Sequence, residues 1–369
     1  MASTYSVYYS DPYGNRLATL PFLSLQYTLA VNAVGSLSIA LPSSFNTTLL
    51  RRDCRIEVWR SVDGGAEYLE ADKQWFLRRW TLQIRESGAR TIVLKALCPM
   101  YLLTGRIIAY DAGTSFSAKT DNADDLIKQF ARDNLITIDS TRDVVGAASI
   151  SSLLSVQSDI AQAISVSAAA TRDNLFETCR KLAEASATGG TYLAFDVIWN
   201  GASFELRTYT NQRGVDHRFP GGLNPVILGP DFGNMVNVDV DENYEDEITV
   251  VIAGGQGIAD TRTIATATDT VRVGSSPFGH RETFVQGNNS DSTQLADIAD
   301  AKLRAGRPVR TVSGTLQDTP GTRYGLHWGW GDRVTVQVDG INSDARIDTV
   351  SVQVDDGKET INAGIRTDD

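Results

Sequence analysis

The 369-residue sequence contains only three cysteines, Cys54, Cys98 and Cys179, which lie far apart. Their number is odd and none has a Cys-x-x-Cys or Cys/His spacing. This pattern argues against a disulfide framework or a zinc site and predicts reduced thiols in a chain that folds in a cytoplasm. No apolar run approaches the roughly 20 residues that a membrane helix needs. The amino terminus lacks the basic and apolar segments of a secretory signal.

Residues that commonly carry catalysis are also scarce. The three histidines, His217, His280 and His327, stand in unrelated contexts, and no G-x-S-x-G nucleophile elbow occurs. The spacings H-x-x-x-H and H-E-x-x-H, which place two metal ligands on one helix face, are absent from the sequence. The sequence therefore offers no recognisable catalytic triad and no recognisable metal motif.

Two patterns that suggest a ligand site depart from their motifs at essential positions. Residues 239–250 begin like a calcium loop, D-x-D-x-N, but Tyr244 replaces the turn glycine and Val250 replaces the bidentate glutamate. Residues 253–260 resemble a dinucleotide fingerprint, but Asp260 replaces its third glycine. We interpret the first as an acidic turn before a strand and the second as a tight loop between strands. We expect no cofactor, no metal and no enzymatic activity.

The charge balance limits the choice of partners. The formal net charge is −11 and the sequence isoelectric point is near 4.9. Arginine pairs occur at 51–52 and 78–79, but no larger basic cluster could neutralise a row of phosphates. This composition argues against specific binding of nucleic acid, and an acidic surface repels a polyanion that passes close by.

Residues 1–110 read almost entirely as strands. In residues 25–42, LQYTLAVNAVGSLSIALP, apolar and polar residues alternate on both sides of the Asn-Ala-Val-Gly segment at 32–35. This alternation predicts half-buried strands, because successive side chains leave opposite faces of the backbone. The central segment suits a reversal with a positive φ angle. Further short strands with glycine turns follow, a spacing that indicates a small barrel or sandwich.

Residues 111–233 read as a mixed α+β region. One helix is predicted near its start and another from Asn174, with Glu177 three residues on as in a capping box. We interpret the Ser/Ala-rich stretch 147–170 as a surface excursion. Alternating apolar residues then lead to Asn200-Gly201, a strong signal for a two-residue hairpin turn.

Residues 234–369 read as strands again, with one helix near residue 291 and a closing β-meander. Residues 270–273 are predicted as a strand. In the meander, Ile347 has the opposite parity to the valines at 350, 352 and 354, which predicts a β-bulge near Asp348 or Thr349. The chain therefore divides into β, α+β and β regions.

The order of these motifs resembles the siphophage baseplate-hub, or tail-tip, family, which is related in fold to the central hub proteins of contractile tails. The resemblance extends from about Tyr5 to Ile365. Four stretches carry it: the opening hairpin at 27–42, IEVWR (56–60) with WFL (75–77), the strand–glycine loop–strand passage at 250–285, and GDRVTV (331–336) with ARI (345–347).

This resemblance implies a mainly β fold in which two tube-type β-barrel domains, residues 1–110 and 234–369, flank a mixed α+β domain at 111–233. It implies a non-enzymatic structural hub that continues the tail tube as a homotrimer, forming a pseudo-sixfold ring with a lumen for genome passage. The expected neighbours are the distal tail protein, tail tube, tape-measure protein and tail-tip or fibre proteins, in a virion assembled in the host cytoplasm. Weak repulsion of phosphate along such a lumen agrees with the acidic composition.

A cluster of carboxylates near the start of the second β region supplies candidates for the lumen lining. They are Asp239, Asp241, Glu242 and Glu245. We predict that these side chains face the channel through which DNA passes.

The alternative function is a multi-domain β protein that binds or degrades glycans, with tryptophans as stacking platforms. Its most attractive site is the pair Trp328 and Trp330, which share one parity among the glycines of residues 325–331. The competing interpretation of this pair is an aromatic contact packed at the entry to the last meander, because tryptophan buries a large area in cores and interfaces.

Overall fold

The structure is a computed structural model that describes residues 3–86, 88, 90–109, 117–137, 150–257, 261–287 and 292–367. Strands account for 46% and helices for 17%, so the prediction of a mainly β fold is confirmed. The strands are β1 (Thr4–Ser10), β2 (Arg16–Thr19), β3 (Ser24–Ala30), β4 (Ser36–Leu41), β5 (Arg55–Ser61), β6 (Tyr68–Ile84), β7 (Arg90–Leu97), β8 (Ser117–Asn122), β9 (Leu154–Val156), β10 (Ser165–Ala170), β11 (Leu193–Trp199), β12 (Phe204–Thr210), β13 (Ile227–Leu228), β14 (Met235–Asn243), β15 (Val250–Gly254), β16 (Ile264–Thr268), β17 (Glu282–Gln286), β18 (Val309–Leu316), β19 (Arg333–Val338), β20 (Ile341–Asp355) and β21 (Lys358–Thr367). The helices are α1 (Tyr101–Thr104), α2 (Ala123–Ala131), α3 (Leu175–Thr188), α4 (Thr270–Gly274) and α5 (Ser292–Ala305), with short 3-10 or π turns at Thr47–Leu49, Arg132–Ile136, Ile150–Ser152 and Pro230–Phe232.

A single thirteen-stranded sheet joins the first and last regions of the chain. Its order is β14-β18-β21-β20-β3-β4-β7-β6-β5-β1-β2, with β19 paired to the first part of β20 and β13 paired to β19. The joint is the antiparallel pair β3–β20, in which Tyr27 lies opposite Val352. This sheet does not close into a barrel within the described part of one chain.

The β3–β4 hairpin predicted from residues 25–42 is confirmed. Leu25 and Tyr27 are buried while the intervening Gln26 is exposed, as the alternation requires. Asn32 takes the positive φ of 53° at the reversal. Gly35 is required for a different reason: a Cβ there would lie 2.7 Å from the Thr28 carbonyl oxygen.

One continuous apolar core joins the main sheet to the middle region. The Trp75 and Tyr27 rings pack with their centroids 6.2 Å apart beneath the sheet. In the middle region, α2 and α3 cover the three-stranded sheet β11-β12-β9, and Phe176 of α3 meets Phe195 of β11 edge-to-face. All three cysteines are buried and free, as predicted for reduced thiols.

A smaller module is inserted between β14 and β18. Its three-stranded sheet, β16-β15-β17, packs on α5 around a separate apolar core. That core consists of Val251, Ala253, Ala267, Leu295 and Ala299. The chain thus leaves the main sheet after β14, builds this module and returns along β18.

Three local predictions are confirmed. The pairing of β20 with β21 shifts register between Ile347 and Thr349, where the parity of the valines requires a bulge. The Asn174 side chain accepts a hydrogen bond from the Glu177 amide at the start of α3. Strands β11 and β12 form the hairpin signalled by Asn200-Gly201.

Other predictions need correction. Residues 270–273 form helix α4 instead of a strand, because the preceding Asp269 side chain accepts a hydrogen bond from the Arg272 amide and caps a helical turn. Residues 239–243 belong to β14 instead of a turn, because β18 pairs with them along their whole length. The described part of the Ser/Ala-rich stretch, 150–170, contains β9 and β10; residues 147–149 lie outside the described residues.

Candidate functional site

Eight neighbouring strands of the main sheet, from β14 to β6, expose a face made mostly of small polar side chains. The opposite face carries apolar residues such as Ile39 and Val352 into the core. We name the exposed side the polar face, and its half-buried or exposed members include Thr311, Ser313, Thr315, Asn362, Ser351, Gln353, Gln26, Thr28, Ser36, Ser38, Lys95, Thr81 and Gln83.

Hydrogen bonds between strands hold side chains of the polar face in place. The Thr28 and Ser351 hydroxyl oxygens are 3.1 Å apart across β3 and β20, and the Thr315 hydroxyl donates to Asn362 Oδ1 at 2.9 Å. Hydroxyl and amide groups satisfied in this way present dipoles instead of net charge. Because strong phosphate binding requires clustered cations, such a surface is wettable and weakly interacting toward a polyanion.

The eight strands divide into two sets with mirrored order. We name β3-β4-β7-β6 the first half-sheet and β20-β21-β18-β14 the second half-sheet, which meet at the β3–β20 pair. In each, the outermost strand contains a register shift: between Leu77 and Arg79 in β6, and between Val236 and Asp239 in β14. The two half-sheets therefore share one arrangement, although their sequences are not an obvious repeat.

Each half-sheet ends in a strand edge that lacks a neighbour. Strand β5 pairs with β6 as far as Phe76, and within the described ranges residues 78–84 then pair with β7 alone. No described strand pairs with the outer side of β14. We name residues 78–84 the β6 edge and residues 239–245 the β14 edge. Unpaired edges of this kind are templates for pairing with another chain.

The β6 edge combines apolar and basic side chains. Trp80, Leu82 and Ile84 are 41%, 41% and 60% exposed although they lie on the core side of the sheet, opposite the buried Leu94 and Ile92. Basic residues on or beside this edge are Arg78, Arg79, Arg85 and Arg90. A partly exposed tryptophan beside arginines is a composition enriched at protein interfaces.

The β14 edge is acidic, and the four predicted lumen residues separate onto different sides of it. Asp239 and Asp241 lie on the polar face, opposite Ser313 and Thr311. Glu242 lies on the other face, where its carboxylate meets Arg310 Nε at 3.2 Å. The fourth candidate, in the turn after β14, is Glu245. The structure therefore brings two of the four candidates together on the polar face.

The two tryptophans of the glycan alternative are buried. Trp328 is 3% exposed, packs at a tilt with its ring centre 5.0 Å from that of Tyr324, and donates its indole N–H to the Thr322 carbonyl oxygen. Trp330 is 7% exposed, and the Arg213 guanidinium lies over its indole ring, with Cζ 4.0 Å from the ring centre. Since a sugar needs an open indole face, this arrangement fits the packing interpretation of the pair.

Buried charges in the core tie distant segments together. Arg60 of β5 makes two 3.0 Å hydrogen bonds to the Glu359 carboxylate of β21. Lys73 of β6 pairs with Asp196 of β11, which also accepts from Arg213. Burial lowers the pKa of Lys73, and Asp196 opposes that shift. These pairs connect the first region to the last and to the middle.

Neither a metal-binding cluster nor a membrane-spanning helix is found among the described residues. Within the described ranges, no three side chains of the His, Cys, Asp and Glu types converge to hold a metal ion. None of the described helices is long and apolar enough to span a bilayer.

Solved structures described as tail proteins share the mainly β fold of this chain. The 43 kDa tail protein of prophage MuSo2 from Shewanella oneidensis matches with a TM-score of 0.62 at 12% identity, over 99% of this chain and 98% of that one. The tail protein from Neisseria meningitidis MC58 matches with a TM-score of 0.60 at 13% identity, over 99% and 97%. A chain of the lidded Francisella PdpA-VgrG complex matches with a TM-score of 0.53 at 12% identity, over 99% of this chain and 52% of that one.

The family itself is identified from the sequence. The profile of the family described as Siphovirus ReqiPepy6 Gp37-like protein matches residues 7–365, and the chain belongs to this family. The predicted resemblance to siphophage tail proteins is thereby confirmed. No curated protein sequence matches the chain.

The polar face was missed by the sequence analysis, although a signal was present. The outward positions of β3 and β4 are serine, threonine and glutamine instead of the lysine and glutamate common on solvent-facing strands. That bias recurs in β18 and β20, far along the chain. Only the strand pairing brings the four segments onto one surface.

Proposed function

We propose that the chain is a non-enzymatic structural subunit of a siphophage tail tip, a baseplate hub that forms a homotrimeric ring and continues the tail tube. The observation that carries this proposal is the mirrored pair of half-sheets with one shared polar face. Because each copy contributes two half-sheets, three copies would supply six similar units around a pseudo-sixfold axis. Residues 1–110 and 234–369 would then be the tube-type domains and residues 111–233 the mixed domain between them.

Complementary edges support closure of the ring between copies. If the acidic β14 edge of one copy adds to the basic β6 edge of the next, the sheet continues with its faces aligned. Val240, 40% exposed on the core side, would then join Trp80 and Leu82, while Asp239 and Asp241 would approach Arg79 on the polar side. Contact between two unlike edges is a heterologous interface. Such an interface generates a ring when the rotation from one copy to the next adds up to a full turn.

The composition of the polar face supports a role as the lumen lining. Its hydroxyls and amides would face the channel, with Asp239 and Asp241 as the acidic members at each junction between copies. DNA passing through would meet mainly dipoles, with scattered carboxylates and separate cations such as Lys95 instead of a clustered cation array, so that phosphate would be held only weakly. Tail tube, distal tail protein, tape-measure protein and tip or fibre proteins would be the neighbours in the virion.

The ring is tested by the mass and shape of the full chain in solution. Native mass spectrometry should give a trimer at high protein concentration, and negative-stain microscopy should show a central channel. The variants R79E/R85E and D239K/D241K should each weaken assembly, and combining them should restore it, because each pair of charges is reversed together. The matched control is K181E/K358E, which reverses two exposed charges on α3 and at the start of β21, outside both edges. A chain that stays monomeric throughout, or a channel-free assembly indifferent to these charges, would contradict the proposal.

A further inference from the structure

A cleft of about 880 Å³ opens where four segments of the chain meet. Its walls are α3 from Phe176 with the segment after it as far as Leu193, the turn between β3 and β4, the end of α5, and the middle of β20 with the end of β21. One lining residue, Arg366, lies opposite Thr311 in the strand register, at the end of the polar face. The cleft is formed within one chain and belongs to neither strand edge.

Five arginines line this cleft in a protein whose net charge is −11. They are Arg180, Arg304, Arg307, Arg346 and Arg366. The carboxylates among the lining residues are Glu184 and Asp348. Cations therefore exceed anions in the cleft although the chain as a whole has the reverse balance. A cleft with one sign of charge focuses its field on ligands of the opposite sign.

Two of the arginines are placed against each other at an energetic cost. Arg346 and Arg366 are directly opposite in the β20–β21 pairing, where like charges destabilise a sheet. Arg346 stacks 4.3 Å from the centre of the Tyr192 ring, and its Nε donates to the Asn211 carbonyl oxygen at 2.6 Å. Within the described part of the chain, no carboxylate lies within ion-pair distance of Arg366.

Two of the other arginines, Arg304 and Arg180, contact groups of α3. Arg304 of α5 donates to the Thr188 carbonyl oxygen at 3.3 Å, which satisfies the C-terminal end of α3. Arg180 pairs with Glu177 and Glu184 along α3. These contacts hold the two guanidinium groups at the cleft wall.

The lowered pKa of Arg346 agrees with an electropositive cleft. Burial is the largest of the causes that together lower the pKa of Arg346 to about 10; the nearby cations Arg333 and Arg366 act in the same direction, and Tyr192 and Asp348 oppose the shift. An anion beside this guanidinium would reverse part of that shift, since an opposite charge favours the protonated form.

We propose that the cleft binds an acidic peptide segment of a partner protein, with its carboxylates between Arg346, Arg366 and Arg180. The apolar part of the lining, which includes Val34 and Phe176, gives the intervening side chains of a peptide a surface to pack on. A long nucleic acid is a poorer ligand, because the acidic chain around the cleft repels an extended polyanion. Guanidinium groups pair with carboxylates in bidentate geometry, which suits them to this ligand.

Fluorescence anisotropy with a short labelled peptide of alternating glutamate and leucine tests the proposal on the full-length protein. The peptide should bind with an affinity that falls as salt is raised, and a lysine–leucine peptide of equal length should not bind. R366Q and R180Q should each weaken binding about tenfold or more, as expected for the loss of a charge-assisted contact. The control R52Q removes an arginine that is 84% exposed, pairs with Asp53 and lies outside the cleft.

Several outcomes would overturn the proposal. One is equal affinity in R366Q, R180Q and R52Q; another is displacement of the peptide by single-stranded DNA or inorganic phosphate at matched charge.

Asp368 and Asp369 follow Thr367, which lines the cleft. Binding that occurs only in D368N/D369N would therefore assign the cleft to the chain's own carboxylates. Loss of self-association in R366Q would assign it to a contact between copies. The ring test and this test can fail separately, because one chain supplies all the cleft residues.

Discussion

The two half-sheets share one strand order but differ in the residues at their outer edges. Each has four strands in mirrored order, and each has a register shift in its outermost strand. In the first half-sheet, five residues separate the end of β6 from the start of β7, and the edge is basic and apolar. In the second, β14 and β18 are separated by an inserted module, and the edge is acidic. The shared strand order sets the frame, whereas the edge residues set what each half can contact.

The opposite charges of the two edges favour contact between the β14 edge of one copy and the β6 edge of another. Two copies that met through identical edges would place like charges together, which is unfavourable, whereas unlike edges attract. Head-to-tail contact is the arrangement that a ring requires. The difference between the half-sheets is therefore as informative as their likeness.

The first prediction tests whether the first and last regions of the chain are one cooperative unit. E359Q removes the carboxylate that pairs with Arg60, whose side chain is fully buried. Leaving that charge uncompensated should lower the free energy of unfolding by about 3 kcal/mol or more. Urea denaturation should show one transition, shifted as a whole.

The matched control is E177Q, which removes a carboxylate paired with Arg180 on the exposed side of α3. It should change stability by about 0.5 kcal/mol or less, as is usual for surface pairs. Two separate transitions in the parent protein, with E359Q shifting one of them, would show that the two regions unfold independently.

The second prediction compares the hairpin turns of the two half-sheets. Gly35, after β3, is restricted by space, because a Cβ would lie 2.7 Å from a carbonyl oxygen. Gly357, after β20, has φ +74° and open space around it. Asparagine tolerates positive φ, so G357N should change stability by about 0.5 kcal/mol or less. G35N should lower it by about 2 kcal/mol through overpacking. Chemical denaturation of the two variants checks the difference, and equal losses would contradict it.

The third prediction concerns the exposed apolar row of the β6 edge. W80S should weaken trimer formation about tenfold, or about 1.4 kcal/mol, because a large interface side chain is lost. The stability of the single chain should change little, since Trp80 is 41% exposed. L17S, at a comparably exposed position on β2, three strands beyond β6 in the sheet order, is the control and should assemble normally. Mass photometry over a concentration series measures the effect. Equal weakening of assembly by L17S would contradict the prediction that the β6 edge is a contact between copies.

Local sequence patterns predicted the elements whose cause is local. The β3–β4 hairpin, the Asn174 cap and the bulge at Asp348 each follow from a few neighbouring residues. Helix α4 was predicted as a strand because Thr-Val-Arg-Val favours strands in isolation. The Asp269 cap and its ion pair with Arg272 override that preference.

Long-range pairing was beyond the sequence pattern. Strands β3 and β20 are more than 300 residues apart, and no periodicity indicates that they are neighbours. The cluster of acidic residues was visible, but its distribution over two faces was not. That distribution depends on the register shift before Asp239, where Asn237 takes a positive φ of 52°. The polar face is a property of the assembled sheet, and no single segment carries it.

The smallest predicted effect concerns Glu70, a buried carboxylate on β6 where the first region meets the last. The Tyr324 hydroxyl donates to its Oε1 at 2.5 Å, while Oε2 is buried without a hydrogen-bond partner in the described structure. Burial raises the pKa of Glu70 above its ordinary 4.5; Tyr324 and Arg60 oppose the shift, and Glu359 adds to it. The folded state then holds a proton that the unfolded state releases, so this group stabilises the fold fully below pH 4.5 and less as pH rises through the raised pKa.

E70Q keeps the shape and removes the charge, so its stability relative to the parent should increase as pH rises from about 4 to 7. Urea midpoints measured across that range check the sign. The comparison variant D216N removes a carboxylate whose pKa is lowered by hydrogen bonds from Arg218, so its stability relative to the parent should change in the opposite direction. If both variants shifted in the same direction, the carboxyl at the meeting point of the two regions would not be held out of water. The tight contact between β6 and Tyr324 would then be wrong.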